Sequence, residues 1–219
     1  MAKLNWRYAL GEILIVIIGI TIAFSLNKWA QNKQQESQKQ QYLVNLKSEL
    51  EADKEALENN VEQLRIKMAT VDKIIPVLGG DDNNAKMAVI NGIFSVSRLS
   101  NFSANDITYH TLINSGDLKL LDDFALKTAI QRHYSNYEDM MKDYERQENI
   151  HKEYLGRYFI QNADYDAFPK GVFGFDDELL LKNIMQSMRG SFSIKLFATQ
   201  RGIESCDSLL TEISNHLKT

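Results

Sequence analysis

One stretch constrains this chain before any other: Tyr8 to Trp29, a nearly unbroken apolar run that carries a single acid, Glu12, near its start. Between Ile13 and Leu26 there is no charge and no proline. With its flanks the run supplies the ~20 apolar residues that cross ~30 Å of hydrocarbon. A core helix of a soluble domain shows a polar face at 3.6-residue spacing, and this stretch has none. Its polar residues are Thr21 and Ser25, whose hydroxyls can bond back to a carbonyl one turn earlier and so need no water in lipid. Trp6 and Tyr8 at one end and Trp29 at the other stand where amphipathic rings prefer the headgroup region. A helix between the two tryptophans rises roughly 35 Å, a full crossing. The reading is a membrane helix. Its rival is a cleaved signal peptide, with Lys3 and Arg7 as the basic region and Ala23-Phe24-Ser25 as a poor cleavage site.

Basic residues flank the run almost evenly, Lys3 and Arg7 before it and Lys28, Lys33 and Lys39 after. A short basic tail is easily retained in the cytoplasm, whereas a long domain translocates largely regardless of its charge. The expected topology is therefore tail inside, body outside.

Some 190 residues follow the anchor, enough for one domain or a stalk with a domain. The formal net charge is −4; the first 29 residues hold Lys3, Arg7 and Lys28 against Glu12, so the remainder carries −6. No basic cluster follows the anchor, which argues against a nucleic-acid footprint. Two prolines and 11 glycines are few, and Leu, Lys, Glu, Gln and Ala abound, as in a helical protein. The single cysteine, Cys206, excludes an internal disulfide and a cysteine-based zinc site.

Ala30 to Gln41 is polar, with no Gly or Pro to stop a helix. Beyond it Leu43, Leu46, Leu50, Leu57, Val61, Leu64, Met68, Val71, Ile75 and Leu78 recur at three- and four-residue steps, apart from the seven-residue step from Leu50 to Leu57. The stripe resembles a coiled-coil seam with a stutter; its alternative is the longest helix of a bundle. Pro76 and the run Gly79 to Asn84 end it. Helices are then expected over Ala85–Arg98 and Ile107–Ser115, the second capped by Asp106 and stopped by Gly116. A second long helix, capped by Asp122, should run over about 123–161 with a seam at Leu126, Ile130, Tyr134, Tyr137, Met141, Tyr144, Glu148, His151, Leu155 and Tyr158. Tyr165 to Phe175 reads as an aromatic loop. Asp176 should cap a helix to Met188, ended by Gly190, with a final helix over Phe192–Leu217.

Glu12 is the first candidate site, because an ionisable side chain in a span needs a partner, a cavity or the interface. At 100° per residue Glu12, Val16, Gly19, Ala23 and Asn27 share a stripe ~80° wide. Gly19 and Ala23 let backbones approach closely, and Asn27 can bond across helices, so this face suits self-association. The plainer alternative is that Glu12 snorkels to the headgroups. Glu148 and His151 form a Glu-x-x-His pair, the spacing used in di-iron bundles, but no second copy exists. His110 and His133 each stand beside a tyrosine and suggest no role. Tyr134, Tyr137, Tyr144, Tyr154 and Tyr158 can line a ligand cleft or simply pack a core. No catalytic, metal-binding or cofactor-binding motif is present.

Gly11-Glu12-Ile13, Ile18-Gly19-Ile20-Thr21-Ile22-Ala23 and Asn27-Lys28-Trp29 resemble the anchor of an uncharacterised family of small single-span membrane proteins common in Bacteroidota. Leu112 to Leu118, His133-Tyr134 and Tyr137-Glu138 are similar to the same family. The resemblance implies a bacterial envelope setting and no assigned activity, and marks Gly11, Glu12, Gly19, Asn27 and Trp29 for first test.

The expected architecture is all-α: a cytoplasmic tail over 1–7, a transmembrane helix over 8–29 continuing into a helical stalk over 30–78, and an antiparallel helical bundle over 79–219. The expected function is a self-associating scaffold or interaction protein of the bacterial inner membrane, its body periplasmic, with no catalysis, cofactor or metal. Its partners are the lipid bilayer, further copies of the chain and an envelope protein, with no nucleic acid. The alternatives are a channel or transport component with Glu12 in the membrane path, and a periplasmic ligand-sensing bundle.

Overall fold

The computed structural model describes residues 6–218, with side chains over 10–218. Residues 1–5 of the tail, and the side chains of Trp6, Arg7 and Tyr8, therefore lie outside what is described. The first helix, α1 (Trp6–Ile74), is 69 residues long and unbroken, roughly 100 Å from end to end. Every described residue from Leu10 to Gln38 is exposed. From Leu43 onward α1 enters a bundle, where Leu43, Leu46, Leu50, Leu57, Leu64, Val71 and Leu78 are almost fully buried. That stripe packs within its own chain, so it is the longest member of a bundle. Ile74, at 1% exposure, takes the core position expected for Ile75, which is half-buried because the helix ends before Pro76.

The chain then descends along α1 through α2 (Asn83–Val96), an extended stretch, α3 (Ile107–Ser115) and a 3-10 turn at Asp117–Leu120. The acceptor of Asp82 caps α2, bonding Asn84 N at 2.9 Å and Ala85 N at 3.2 Å. Polar side chains of α1 lace this descent in order. Lys67 bonds Ser100 Oγ, Asn60 bonds Asn101 O, Asp53 accepts from Asn105, Glu49 accepts from Thr108, and Tyr42 donates to Asp117. Glu49 thus satisfies the first-turn N–H of Thr108, a task assigned by sequence to Asp106, whose carboxylate instead pairs with His110 at 3.2 Å. Gly116 at φ 72° ends α3 in the left-handed region, as expected.

The third ascent, α4 (Phe124–Ile150), is capped by Asp123 and not by Asp122: Asp123 Oδ1 accepts from Ala125 N at 2.6 Å. A π turn over His151–Gly156 interrupts the helix before α5 (Arg157–Asn162). Met140 and Gln147 occupy the core in place of Met141 and Glu148. Finally α6 (Glu178–Leu217) descends as one helix of 40 residues. It passes Gly190 without a break because Met188, Ser191 and Phe192 are buried on either side, and packing outweighs the ~1 kcal/mol penalty of a mid-helix glycine. Its cap is Asp177, at φ 46°, whose carboxylate accepts from Leu180 N; Asp176 is held by Asn162 and Tyr158 through its backbone.

The result is an all-α, up-down-up-down bundle whose second member is broken in the middle. Two apolar clusters fill it. The one nearer the exposed apolar segment joins Leu43–Leu57 of α1 to Leu126–Tyr144 of α4 and Ala198–Ile213 of α6. The distal one joins Leu64–Leu78 to α2, Tyr158, Phe175 and Leu181–Phe192. Phe94, Phe159, Phe168, Phe173 and Phe175 form a ring cluster under the distal loop, which the aromatic composition of 165–175 anticipated.

Candidate functional site

Two features stand out: an exposed apolar helix at one end, and a polar layer inside the bundle.

The N-terminal apolar part of α1 reaches a mean hydropathy of 2.1 over 18 residues, with none of that window buried in the chain. It is a candidate membrane span. Glu12, Val16, Gly19, Ala23 and Asn27 are all exposed, and a Cβ placed on Gly11 or Gly19 would touch nothing within 4 Å. The structure brings none of the five against another part of this chain. Thr21 donates to Ile17 O at 2.8 Å, the self-satisfied hydroxyl that lipid demands. Trp29 is 63% exposed and Lys33 Nζ lies 5.4 Å from its ring centroid, an arrangement suited to the interface.

Where the two apolar clusters meet, the buried groups are polar. Lys67 of α1 and Lys195 of α6 are both buried, and no carboxylate bonds to either. Backbone carbonyls stand in for counter-ions: Lys67 donates to Arg98 O and, at 2.7 Å, to Ser100 Oγ. Lys195 donates to Ser100 O and, at 2.7 Å, to Gln147 Oε1, and its Nζ lies 3.8 Å from the Tyr144 ring centroid. Burial disfavours the charged ammonium and pulls Lys195 down to about 7 and Lys67 to about 8. Both lysines project from apolar stripes, Lys67 between Leu64 and Val71 and Lys195 between Phe192 and Thr199. Sequence reasoning passed over them, although a lysine in a core phase was the available signal.

A second buried cluster, of an acid and phenols, lies nearer the exposed apolar segment. Asp53 Oδ1 accepts from Asn105 N at 2.9 Å and Asn105 Nδ2 at 2.7 Å, while burial raises its carboxyl above the ordinary value. Tyr137 Oη lies 3.0 Å from Cys206 Sγ, and the Tyr109 and Tyr134 rings stack at 4.0 Å. Phe102, Tyr109, Tyr134, Tyr137 and Met141 line an open cleft of 280 Å³. Of the five tyrosines offered as cleft or core residues, four pack in the core, and Tyr134 and Tyr137 alone among them also border this cleft. Tyr144 belongs to the lysine layer, Tyr158 to the distal core, and Tyr154 is 61% exposed.

Glu148 and His151 do not form a site together. Glu148 pairs outward with Lys152 at 2.5 Å, and among the described residues no three metal-ligating side chains group. His133 is buried with Nδ1 2.9 Å from Ser205 Oγ, and burial lowers its pKa to about 4.

No curated protein and no solved structure matches the chain. A family profile does match over residues 12–159, from Glu12 in the candidate span to Phe159 in α5, leaving α6 outside the matched span. As that match covers about two thirds of the sequence, including Glu12, Gly19, Asn27 and Lys67, the chain belongs to DUF6090, a family of unknown function.

Proposed function

We propose that the protein is a single-span membrane scaffold that self-associates through the Glu12, Val16, Gly19, Ala23 and Asn27 face and holds its bundle clear of the bilayer for a partner of the envelope. One observation carries this reading: α1 runs unbroken from the exposed apolar segment into the bundle core. A single rod of this kind couples the bundle rigidly to whatever the anchor joins, with ~13 Å between Trp29 and Gln38, where the bundle begins to touch it. The setting proposed is a bacterial inner membrane with the tail cytoplasmic and the bundle periplasmic, as the resemblance to a Bacteroidota family and the translocation of long domains suggest. Neither a catalytic step nor a cofactor enters this reading.

The test is the mass of the full chain in mild detergent. A dimer or trimer that Gly19→Leu with Ala23→Leu reduces to monomer, and that Glu12→Gln weakens, is the expected result. A monomer throughout, or oligomers indifferent to these changes, refutes self-association by this face. A ring of many chains with an open axis would favour the transport reading instead. The 280 Å³ tyrosine cleft is the observation that favours a sensing bundle as the second reading.

A further inference from the structure

The lysine layer is incompletely satisfied, and its loose ends are concentrated on one side. An ammonium has three donors. Lys67 uses two, on Arg98 O and Ser100 Oγ, leaving a third. Lys195 uses two, on Ser100 O and Gln147 Oε1, and turns toward the Tyr144 ring. The Nε2 of Gln147, which carries two further donors, has no partner and is buried; Ser191 Oγ and His151 Nδ1 are likewise buried without partners. Gln147 and Ser191 are themselves 0% and 3% exposed.

These groups face one another by helical register. Antiparallel α4 and α6 are joined at Gln147 and Lys195, and one turn along each lie His151 and Ser191 on the same faces. On the other flank antiparallel α1 and α6 pair Lys54 with Asp207 and Asp72 with Arg189, which brings Lys67 level with Lys195. Lys67 acts electrostatically on both Lys195 and His151. Glu148, the acid whose charge reaches Lys195, is drawn outward to Lys152.

From this arrangement we infer a buried binding site for a small inorganic monoanion of chloride size, held between Lys67, Lys195, Gln147 Nε2, Ser191 Oγ and His151. Such an ion supplies one negative charge shared between the two ammonium groups and an acceptor for the unspent donors, which apolar packing cannot do. The alternative occupant is water, which accepts hydrogen bonds but leaves both charges uncompensated.

The experiment uses the full chain in detergent at pH 7, with sodium gluconate replaced stepwise by sodium chloride or bromide at constant ionic strength. The expected result is a saturable rise in Tm, about 5 °C once the halide exceeds its Kd a hundredfold. Gln147→Glu places a carboxylate beside Lys195 and should raise Tm in gluconate while removing the halide response. Ser191→Ala should keep the fold and weaken the apparent halide affinity ~10-fold, as loss of one hydrogen bond to a charged group predicts. A wild-type Tm indifferent to the exchange, or a non-saturating response shared by Gln147→Glu, overturns the site and leaves water as the occupant.

Discussion

Tyr144 meets Lys195 twice, with its ring 3.8 Å from the ammonium and its hydroxyl 2.9 Å from Thr199 Oγ1, whose own proton goes to the Lys195 carbonyl. One phenol therefore serves both the charge and the backbone of the same turn of α6. Tyr144→Phe keeps the ring over the ammonium and loses the hydroxyl bonds, a loss of about 1 kcal/mol. Tyr144→Leu strips the cation of its aromatic face as well and should lose about 3 kcal/mol. Urea unfolding of the two variants should rank them in that order; equal losses would show that the ring contact contributes nothing.

The two lysines set a pH dependence whose sign follows from their depressed proton affinity. Unfolded, each binds its proton up to about 10.5; folded, Lys195 releases it near 7 and Lys67 near 8. From about pH 7 upward the unfolded chain holds more protons, so stability rises with pH, by at most ~1.4 kcal/mol per pH unit for each lysine. Burial has the opposite sign at Cys206, raised to about 11 from 9.0, so the rise should flatten above pH 9. It reverses once unfolded tyrosines ionise near pH 10, since burial raises Tyr134 and Tyr137. Unfolding in chloride-free buffer from pH 7 to 9 measures the slope, and Lys195→Met should remove its share. A flat profile in the wild type would contradict the burial of these ammonium groups.

Helix capping separates two adjacent aspartates. Asp123 Oδ1 satisfies two N–H groups at the start of α4, whereas Asp122 is exposed and stands 3.8 Å from Lys39. Asp123→Ala should destabilise by about 1 kcal/mol and Asp122→Ala by less than about 0.5 kcal/mol. Thermal melts of the pair decide the assignment.

Two glycines differ in what an added methyl would meet. At Gly174 a Cβ would stand 2.4 Å from the Asp164 carbonyl oxygen and 2.8 Å from the Ala167 methyl, in a loop whose backbone hydrogen-bonds across itself at both residues. At Gly202 it would meet the flexible Met140 Sδ at 2.9 Å. Gly174→Ala should lose about 2–3 kcal/mol by forcing backbone apart. Gly202→Ala should lose less than about 1 kcal/mol, because Met140 can turn and alanine favours the helix. A reversed order in denaturant midpoints would contradict the packing described.

Much of the anatomy was legible from residue spacing. The apolar run before Trp29, the stripe from Leu43 to Leu78 and the glycine stop at Gly116 all reappear in the structure. Near-misses cluster where one-residue choices depend on neighbours: Asp123 over Asp122, Asp177 over Asp176, Met140 over Met141. Local propensity marks Gly190 as a stop, and burial of Met188 and Phe192 overrides that preference.

By itself the sequence determined an apolar N-terminal segment and an all-helical body, since both follow from hydropathy and helical period, which are properties of neighbours in the chain. Only tertiary structure decided that Lys67 and Lys195 would sit inside. Their carbonyl partners lie 31 and 95 residues away, on a strip of backbone between α2 and α3. A lysine in an apolar stripe becomes a buried charge only when distant chain arrives to solvate it, and no local pattern records that arrival.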